Sequence, residues 1–291
     1  MNPQSTRRRH RPWTLTAALV APAALFFLFL LVLPLTIVII YSFGERAAAG
    51  GYEPAFTFAN YLNLPARSKA FTNTLTLAPL ATFLTVLFAY PMAYFLAVKV
   101  SPKWRVMMLV LVMAPFWTSQ LLRYYAWMMI LGAKGIPSWL AWIGIADVRL
   151  INTPLAVMIG AVYGFLPLMV PPIYVSLEKL DRRLLEASDD LGAPPWRTFL
   201  QVTLPLSLPG VATGSMLVFI LLMGDYILPQ FLGGGKVFFI GNALVDLFLQ
   251  SRNWPFGAAV SVALIAIMFV TIAVYMRFVL GQSGQKRTAL V

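Results

Sequence analysis

Apart from Arg277, which closes the last of them, two charged side chains lie inside the long apolar stretches of this 291-residue chain, and they are the first candidates for chemistry. Arg123 falls in the stretch 106–131 and Asp225 in the stretch 205–231. A charge in a bilayer core is costly, so it normally faces a cavity or an opposite charge. Helix rise puts the two at similar depth, about 27 Å and about 30 Å from the cytoplasmic ends. Two interpretations stay open: an ion pair between them, or a carboxylate at an outer gate that attracts a cation.

Aromatic side chains near these charges extend the second interpretation. Tyr226 follows the aspartate directly, and Trp117, Tyr124 and Tyr125 lie on the same stretch as the arginine. Their ring faces can attract a cation, with about 0.5–2 kcal/mol for each contact. Aromatic residues on a membrane helix more often pack or face lipid, and that alternative also stays open.

Composition argues against several other kinds of site. The chain has no cysteine and one histidine, His10, which leaves no thiolate chemistry and no histidine metal site. The run Gly-Gly-Gly-Lys at 233–236 lacks the upstream glycine and the following Ser or Thr of a phosphate-binding loop. We therefore expect no catalysis, no metal and no cofactor in this chain, and an energy supply from a partner.

The elements that must hold these residues are predicted to be membrane-spanning helices. The chain is 60% hydrophobic and 11% charged, which is typical of membrane proteins. Six apolar stretches reach the roughly 20 residues that a bilayer crossing needs: 15–43, 70–98, 106–131, 151–177, 205–231 and 255–277. The first is too long for a signal-peptide core and is expected to remain as an anchor. The fold class predicted is an all-α integral membrane protein with six transmembrane helices.

Basic residues set the predicted orientation. With both termini in the cytoplasm, the inner segments hold 14 Lys and Arg residues and the outer loops hold 7, which supports this N-in, C-in topology. The net charge of +12 is therefore mainly a topology signal, and a nucleic-acid partner is not expected. The predicted organisation is a basic cytoplasmic tail at 1–12, a transmembrane domain at 13–280 and a second cytoplasmic tail at 281–291.

The cytoplasmic loop between the fourth and fifth stretches has the pattern of a short helix, placed at about 181–200. Four of its residues are spaced to share one helical face: Glu186, Ala187, Asp190 and Leu191. Gly192 stands where such a helix must end and turn, and the Pro-Pro pair at 194–195 prevents its continuation. A solvated amphipathic helix is the alternative interpretation.

A longer motif runs through this loop: Glu-Ala-Ser-Asp-Asp-Leu-Gly at 186–192, nine residues, then Val-Thr-Leu-Pro at 202–205. It resembles the signature E-A-A-x3-G-x9-I-x-L-P of the membrane subunits of binding-protein-dependent ABC importers, with Ser188 for the second Ala and Val202 for the Ile. The resemblance implies a coupling helix that docks on an ATP-hydrolysing partner. The residues it assigns to ATPase coupling are Glu186, Ala187, Ser188, Gly192, Val202, Leu204 and Pro205.

Further runs resemble the spermidine/putrescine permease family, and the chain is most similar to the first of its two permease subunits over roughly 15–280. They include Pro-Phe-Trp-Thr at 115–118, Gly-Asp-Tyr at 224–226, Ile-Gly-Asn at 240–242 and Asn-Trp-Pro-Phe-Gly-Ala-Ala at 253–259. The resemblance implies a type I ABC importer permease fold in the inner membrane, with polyamines as cargo. On that basis the substrate pathway is expected to include Asp225, Tyr226, Trp117, Tyr124 and Arg123.

The same resemblance implies partners. They are a dimer of ATP-binding subunits, a second homologous permease in a heterodimer, a periplasmic solute-binding protein and the lipid bilayer. The first helix of such subunits typically wraps the partner permease. Two alternatives remain: the same machinery with another small solute, such as an amino-acid derivative, or an ion-coupled secondary transporter. The latter normally carries several intramembrane carboxylates or an unwound ion site.

Overall fold

The computed structural model describes residues 13–145 and 147–288, which are largely helical. In the described residues the α-helices are α1 (Trp13–Phe27), α2 (Leu33–Ser42), α3 (Ala59–Leu62), α4 (Ser68–Tyr94), α5 (Pro102–Met113), α6 (Gln120–Leu131), α7 (Ile136–Trp142), α8 (Pro154–Glu178), α9 (Arg182–Asp190), α10 (Pro195–Thr198), α11 (Leu204–Gly224), α12 (Ile227–Leu232), α13 (Ile240–Val245) and α14 (Trp254–Thr288). The predicted basic tail at 1–12 lies outside the described residues, as does 289–291.

Short π-helical turns extend four of these helices: Leu28–Val32, Phe95–Lys99, Phe199–Thr203 and Asp246–Gln250. With them, five helices of the described chain are long and apolar enough to cross a membrane: Leu19–Ser42, Leu64–Lys99, Pro154–Glu178, Pro195–Gly224 and Trp254–Arg277. They correspond to five of the six predicted stretches. The predicted all-α fold with membrane-spanning helices is confirmed.

The third predicted span, 106–131, is not one straight helix but a bent pair of helices, which makes a sixth span if the pair is counted as one. Pro102–Trp117 and Gln120–Trp142 meet at 85°. Residues Ala114–Trp117 form a 3-10 turn, and the hydroxyl of Thr118 donates to the carbonyl of Pro115 at 2.7 Å. Proline lacks the N–H of a helical hydrogen bond and disfavours helix in the residue before it. The break therefore follows from Pro115, although the residues before it are apolar.

The fifth predicted span, 205–231, also joined two helices that the structure separates. Helix α11 ends at Gly224, Asp225 is extended at φ −70° and ψ 127°, and α12 begins at Ile227. The Asp225 carboxylate accepts from the backbone N–H groups of Ile227 and Leu228 at 2.9 and 3.2 Å. It thereby satisfies donors at the start of α12 that have no partner within the helix. Asp225 thus lies at a break between helices and not inside a continuous span.

Helix α8 is the centre of the bundle, and α4 and α11 pack along it. Glycines allow the close approach of α11, as is typical of helix contacts in membranes. A Cβ added at Gly210 would overlap the carbonyl oxygen of Pro172, and one at Gly214 would lie 2.7 Å from the sulfur of Met169. The α8–α11 contact therefore has no room for a larger side chain at these positions.

The first span is attached to the bundle by one end only. Helix α2 packs on α14. In contrast, every side chain from Leu19 to Ile37 is exposed in the isolated chain. These residues are strongly apolar, so lipid or another membrane helix must cover them.

Candidate functional site

The predicted turn at Gly192 is present and has the geometry of a Schellman motif. The N–H of Gly192 donates to the carbonyl of Asp189 at 2.9 Å, and the N–H of Ala193 donates to that of Ser188 at 3.1 Å. Gly192 has φ +72°, in the left-handed region where glycine is the residue without a steric penalty. At the other end of α9, the Asp181 carboxylate accepts from the N–H of Arg183 at 3.0 Å. Both ends of this helix are therefore fixed locally.

The helix placed at about 181–200 is α9, which ends at Asp190 before the predicted turn, and a second short helix, α10, follows the turn. Gly192 turns the chain, Pro194 is extended and Pro195 opens α10. The hydroxyls of Ser188 and Thr198 lie 2.8 Å apart and join the two helices across the turn. Ser188, one of the departures from the family signature, thus makes a contact that alanine lacks.

The structure divides the predicted coupling residues into two groups. Glu186, Ala187 and Gly192 are exposed on α9 and its end. The partly buried group is Ser188, Val202, Leu204 and Pro205. Next to the exposed group, Leu191 is 87% exposed and Trp196 is 61% exposed. Large apolar side chains beside a charged helix are typical of a surface that binds another protein.

The inner side of α9 faces the rest of the chain across a cleft of about 270 Å³. Glu186 and Asp189 line this cleft together with Arg105 of α5 and Glu178 at the end of α8. Glu178 is held by the hydroxyl of Tyr174 at 2.8 Å. The coupling segment is therefore next to the predicted cytoplasmic ends of the helices that form the bundle.

At the opposite end of the bundle, Asp225 meets Tyr124. The tyrosine hydroxyl lies 3.4 Å from one carboxylate oxygen of Asp225, and the side-chain amide of Gln120 donates to that hydroxyl at 2.8 Å. Tyr124 is only 1% exposed. The breaks in the third and fifth spans therefore adjoin each other through these three polar side chains.

Arg123 points elsewhere, and the Arg123–Asp225 ion pair is not formed. The Arg123 guanidinium lies 3.4 Å from the carbonyl of Gly164 and 5.9 Å from the ring centre of Phe116. Among the described residues, the ion pair that forms joins Arg67 and Asp246 at 2.7 Å. Tyr124, the next residue on α6, takes the place beside Asp225, and Arg123 is rotated about 100° around the helix axis from it.

The remaining predicted pathway residues are exposed. Trp117, at the end of the 3-10 turn, is 70% exposed, and Tyr226 is 45% exposed. Tyr125 contacts the ring of Phe231 on α12, with ring centres 4.9 Å apart. The structure therefore brings Asp225 and Tyr124 into contact and leaves Trp117 exposed, while Arg123 is partly buried against α8 and does not pair with Asp225.

Three residues around this break were missed in the sequence: Gln120, Thr74 and Asn242. Asn242 is 5% exposed, and its side chain makes hydrogen bonds to Phe239, Tyr226 and Gln230. A buried side-chain amide normally requires such partners. An asparagine in a short helix between spans carries no periodicity, and the one available signal was the Ile-Gly-Asn run that contributed to the family resemblance.

Known proteins of similar sequence show the family to which this chain is related. The family model described as "Binding-protein-dependent transport system inner membrane component" matches residues 11–283. The spermidine/putrescine transport system permease protein PotB of Haemophilus influenzae is 42% identical over 255 residues, which cover 86% of this chain and 89% of that protein. PotB of Escherichia coli strain K12 is 41% identical over 250 residues, covering 84% and 90%.

Solved structures give the same fold at low sequence identity. A bacterial alginate ABC transporter, in complex with an alginate pentasaccharide-bound periplasmic protein, has a chain that matches with a TM-score of 0.72 at 18% identity. The match covers 92% of this chain and 94% of that one. The predicted permease fold and the inner-membrane location are confirmed by these relatives. Its fold and sequence therefore show that the chain belongs to the family of binding-protein-dependent transport system inner membrane components.

Proposed function

We propose that this chain is the permease subunit of an ATP-driven importer that takes up polyamines. The observation that carries the proposal is the 42% identity across 89% of a protein named as a spermidine/putrescine permease. A coupling segment at one end of the bundle and a carboxylate at a helix break near the other end fit this function. The subunit moves a solute across the membrane and catalyses no reaction itself.

ATP is bound and hydrolysed by a pair of partner subunits that dock on α9. The exposed Glu186 and Ala187, with Leu191 and Trp196 nearby, offer these subunits a surface that combines charge and apolar area. The fixed ends of α9 support this role, because a rigid helix transmits displacement better than a loop that deforms. This chain needs no cofactor of its own for the task.

A second, homologous permease completes the pathway as a heterodimer. The apolar and exposed segment from Leu19 to Ile37 fits a helix that contacts another membrane subunit. The resemblance to the first of two permease subunits favours two different chains over two copies of one. On the periplasmic side, a solute-binding protein delivers the cargo to the outer loops. The complex of the alginate transporter with an alginate-bound periplasmic protein supports this arrangement.

In this proposal Asp225 is the group that attracts the cationic cargo. Its carboxylate lies at the break between α11 and α12, and the exposed ring of Tyr226 follows it. One of its oxygens caps α12, while the other is 3.4 Å from the Tyr124 hydroxyl. A carboxylate fixed in this way can attract an ammonium group without a change in conformation.

The test is uptake by the assembled transporter in liposomes. This chain, its partner permease and its ATPase subunits are reconstituted, the binding protein is added outside, and ATP is enclosed. We expect uptake of radiolabelled spermidine and putrescine that requires both ATP and the binding protein. An ATPase variant unable to hydrolyse ATP is the control.

Two results contradict the proposal in different ways. If the transporter takes up another solute, such as an amino-acid derivative, and excess polyamine does not compete, the chain belongs to an ATP-driven importer with a different cargo. If polyamine uptake follows an ion gradient and continues with the inactive ATPase, the chain is an ion-coupled secondary transporter.

A further inference from the structure

The extended corner at Asp225 and Tyr226 is held by helix α13, which no part of the proposed mechanism uses. The side-chain amide of Asn242 donates to the carbonyl of Tyr226 at 2.9 Å and to the side-chain oxygen of Gln230 at 3.3 Å. Its oxygen accepts from the N–H of Phe239 at 3.1 Å, which fixes the amide orientation. One buried side chain thus connects both ends of the first turn of α12 with the start of α13.

The backbone of α13 also approaches the corner closely. A Cβ added at Gly241 would lie 2.8 Å from the carbonyl oxygens of both Gly224 and Asp225. Such contact distances are too short for any real side chain. Gly241 therefore allows Asn242 to reach the Tyr226 carbonyl, and the two residues act together on the corner.

Helix α4 in turn fixes α13. The buried hydroxyl of Thr74 accepts from the N–H of Ile240 at 2.9 Å, and the amide of Asn73 donates to the carbonyl of Phe238 at 3.1 Å. On the far side of α13, Arg67 pairs with Asp246 at 2.7 Å. Three polar contacts thus link the start of α4 and the residue before it to α13 and the residues on either side of it. Helix α13 in turn contacts the corner at Asp225.

We propose that Asn242 is a positioning residue that fixes the corner between α11 and α12 and so fixes the direction of the Asp225 carboxylate. This inference rests on the proposed function of Asp225. Asp225 caps α12, so the carboxylate moves whenever α12 moves relative to α11. Asn242 prevents that motion, because its amide is bound to the corner while α13 is bound to α4.

The rate of thiol labelling at position 226 measures how firmly the corner between α11 and α12 is held, and it needs no cargo. The chain has no cysteine, so Tyr226→Cys provides a single thiol at an exposed position. In the assembled transporter in nanodiscs, we expect Asn242→Ala to raise the rate of labelling at 226 about tenfold, the effect of losing hydrogen bonds at a packed corner. Asn60→Ala is the matched control, since the Asn60 amide also donates to backbone carbonyls, those of Ser42 and Gly44, in another loop.

Polyamine uptake measures whether Asn242 acts through the Asp225 carboxylate. Asn242→Ala should lower polyamine uptake about tenfold in the unmodified chain and have almost no further effect once Asp225→Asn is present. A residue that merely stabilises the fold would lower uptake by the same factor in both backgrounds. Equal factors, or labelling and uptake equal to those of Asn60→Ala, would overturn the proposal.

A second variant covers the case in which Asn242→Ala does not assemble. Thr74→Val keeps the shape of the side chain and removes the acceptor for Ile240, so it loosens α13 without touching the corner. Like Asn242→Ala, it should raise the rate of labelling at 226 and lower polyamine uptake. An unchanged labelling rate would contradict the proposal. Normal uptake by Asp225→Asn alone would instead remove Asp225 from the proposed function, while the labelling rate would still decide whether Asn242 holds the corner.

Discussion

At the scale of single residues, Asp225 and Arg123 show how the same sequence signature can have two outcomes. Each is a charge in an apolar stretch. Asp225 lies at a helix break, where one of its carboxylate oxygens caps α12, whereas Arg123 lies against the carbonyl of Gly164 and the ring of Phe116. Depth along an ideal helix could not separate these outcomes, because both residues follow breaks that the apolar pattern does not show.

Asp225→Asn is the direct test of the carboxylate. The amide oxygen can still accept from Ile227 and Leu228, so the cap of α12 is kept while the charge is removed. We expect polyamine uptake to fall by roughly 10-fold to 100-fold, the scale of a lost hydrogen bond to a charged group, with normal assembly. Uptake is measured in liposomes and assembly by co-purification of the subunits.

The structure also changes what a second substitution should do. If Asp225 paired with Arg123, adding Arg123→Gln would restore function by removing an unpaired charge. Since the two are not paired, the double variant Asp225→Asn and Arg123→Gln should transport no better than Asp225→Asn. Recovery in the double variant would show that the ion pair forms in another conformation of the transporter.

Gly192 offers a second test at this scale. Valine at φ +72° is strained by roughly 1–2 kcal/mol, although its Cβ would meet no atom within 4 Å. We expect Gly192→Val to lower uptake and co-purification with the ATPase subunits while the chain still inserts. Gly235→Val is a matched control, because Gly235 has φ +73° and equally open surroundings in a loop at the other end of the bundle. Equal effects of both variants would remove the coupling role.

At the scale of helices, the close contact between α8 and α11 depends on glycines of α11. Gly210→Val would force the two helices apart at Pro172, with a cost of about 1–3 kcal/mol from overpacking. We expect a lower thermal unfolding temperature of the purified subunit. Gly224→Ala, on the same helix but with no atom within 4 Å of the added Cβ, should leave that temperature unchanged.

The sequence predicted most of the helices and misjudged their breaks. Long apolar runs are the strongest signal a membrane protein offers, so the spans that contain α2, α4, α8, α11 and α14 were found. The breaks at Pro115 and at Asp225 depend on one or two residues within apolar surroundings, and proline is also tolerated inside membrane helices. Helix α8 shows this, because it continues through Pro167, Pro171 and Pro172.

The coupling segment was predicted better than the pathway. Its turn is encoded locally by Gly192 and the Pro-Pro pair, and both act as the sequence indicates. The surroundings of Asp225 depend instead on side chains far away in sequence, such as Tyr124 and Asn242. Contacts of that kind have no local pattern, so a single sequence does not reveal them.

At the scale of the whole molecule, topology is the main prediction. Ala187 and Ala48 are both exposed, and in this cysteine-free chain each can be replaced by a single cysteine. With both termini in the cytoplasm, an impermeant thiol reagent outside intact cells should label 48 and not 187. Labelling of position 187 from outside would show the opposite orientation, with the coupling segment on the side of the membrane that has no ATP.

The attachment of the first span by one end has a consequence for the order of folding during synthesis. Residues from Leu19 to Ile37 bury no side chain against the rest of this chain, and a membrane helix is stable by itself in lipid. The first span can therefore complete its own structure as soon as it enters the bilayer, before the remaining spans exist. The central bundle in turn can close without waiting for it. In the proposed transporter, the exposed face of the first span is then covered only when two finished subunits associate, and the rate of that step depends on their concentrations in the membrane.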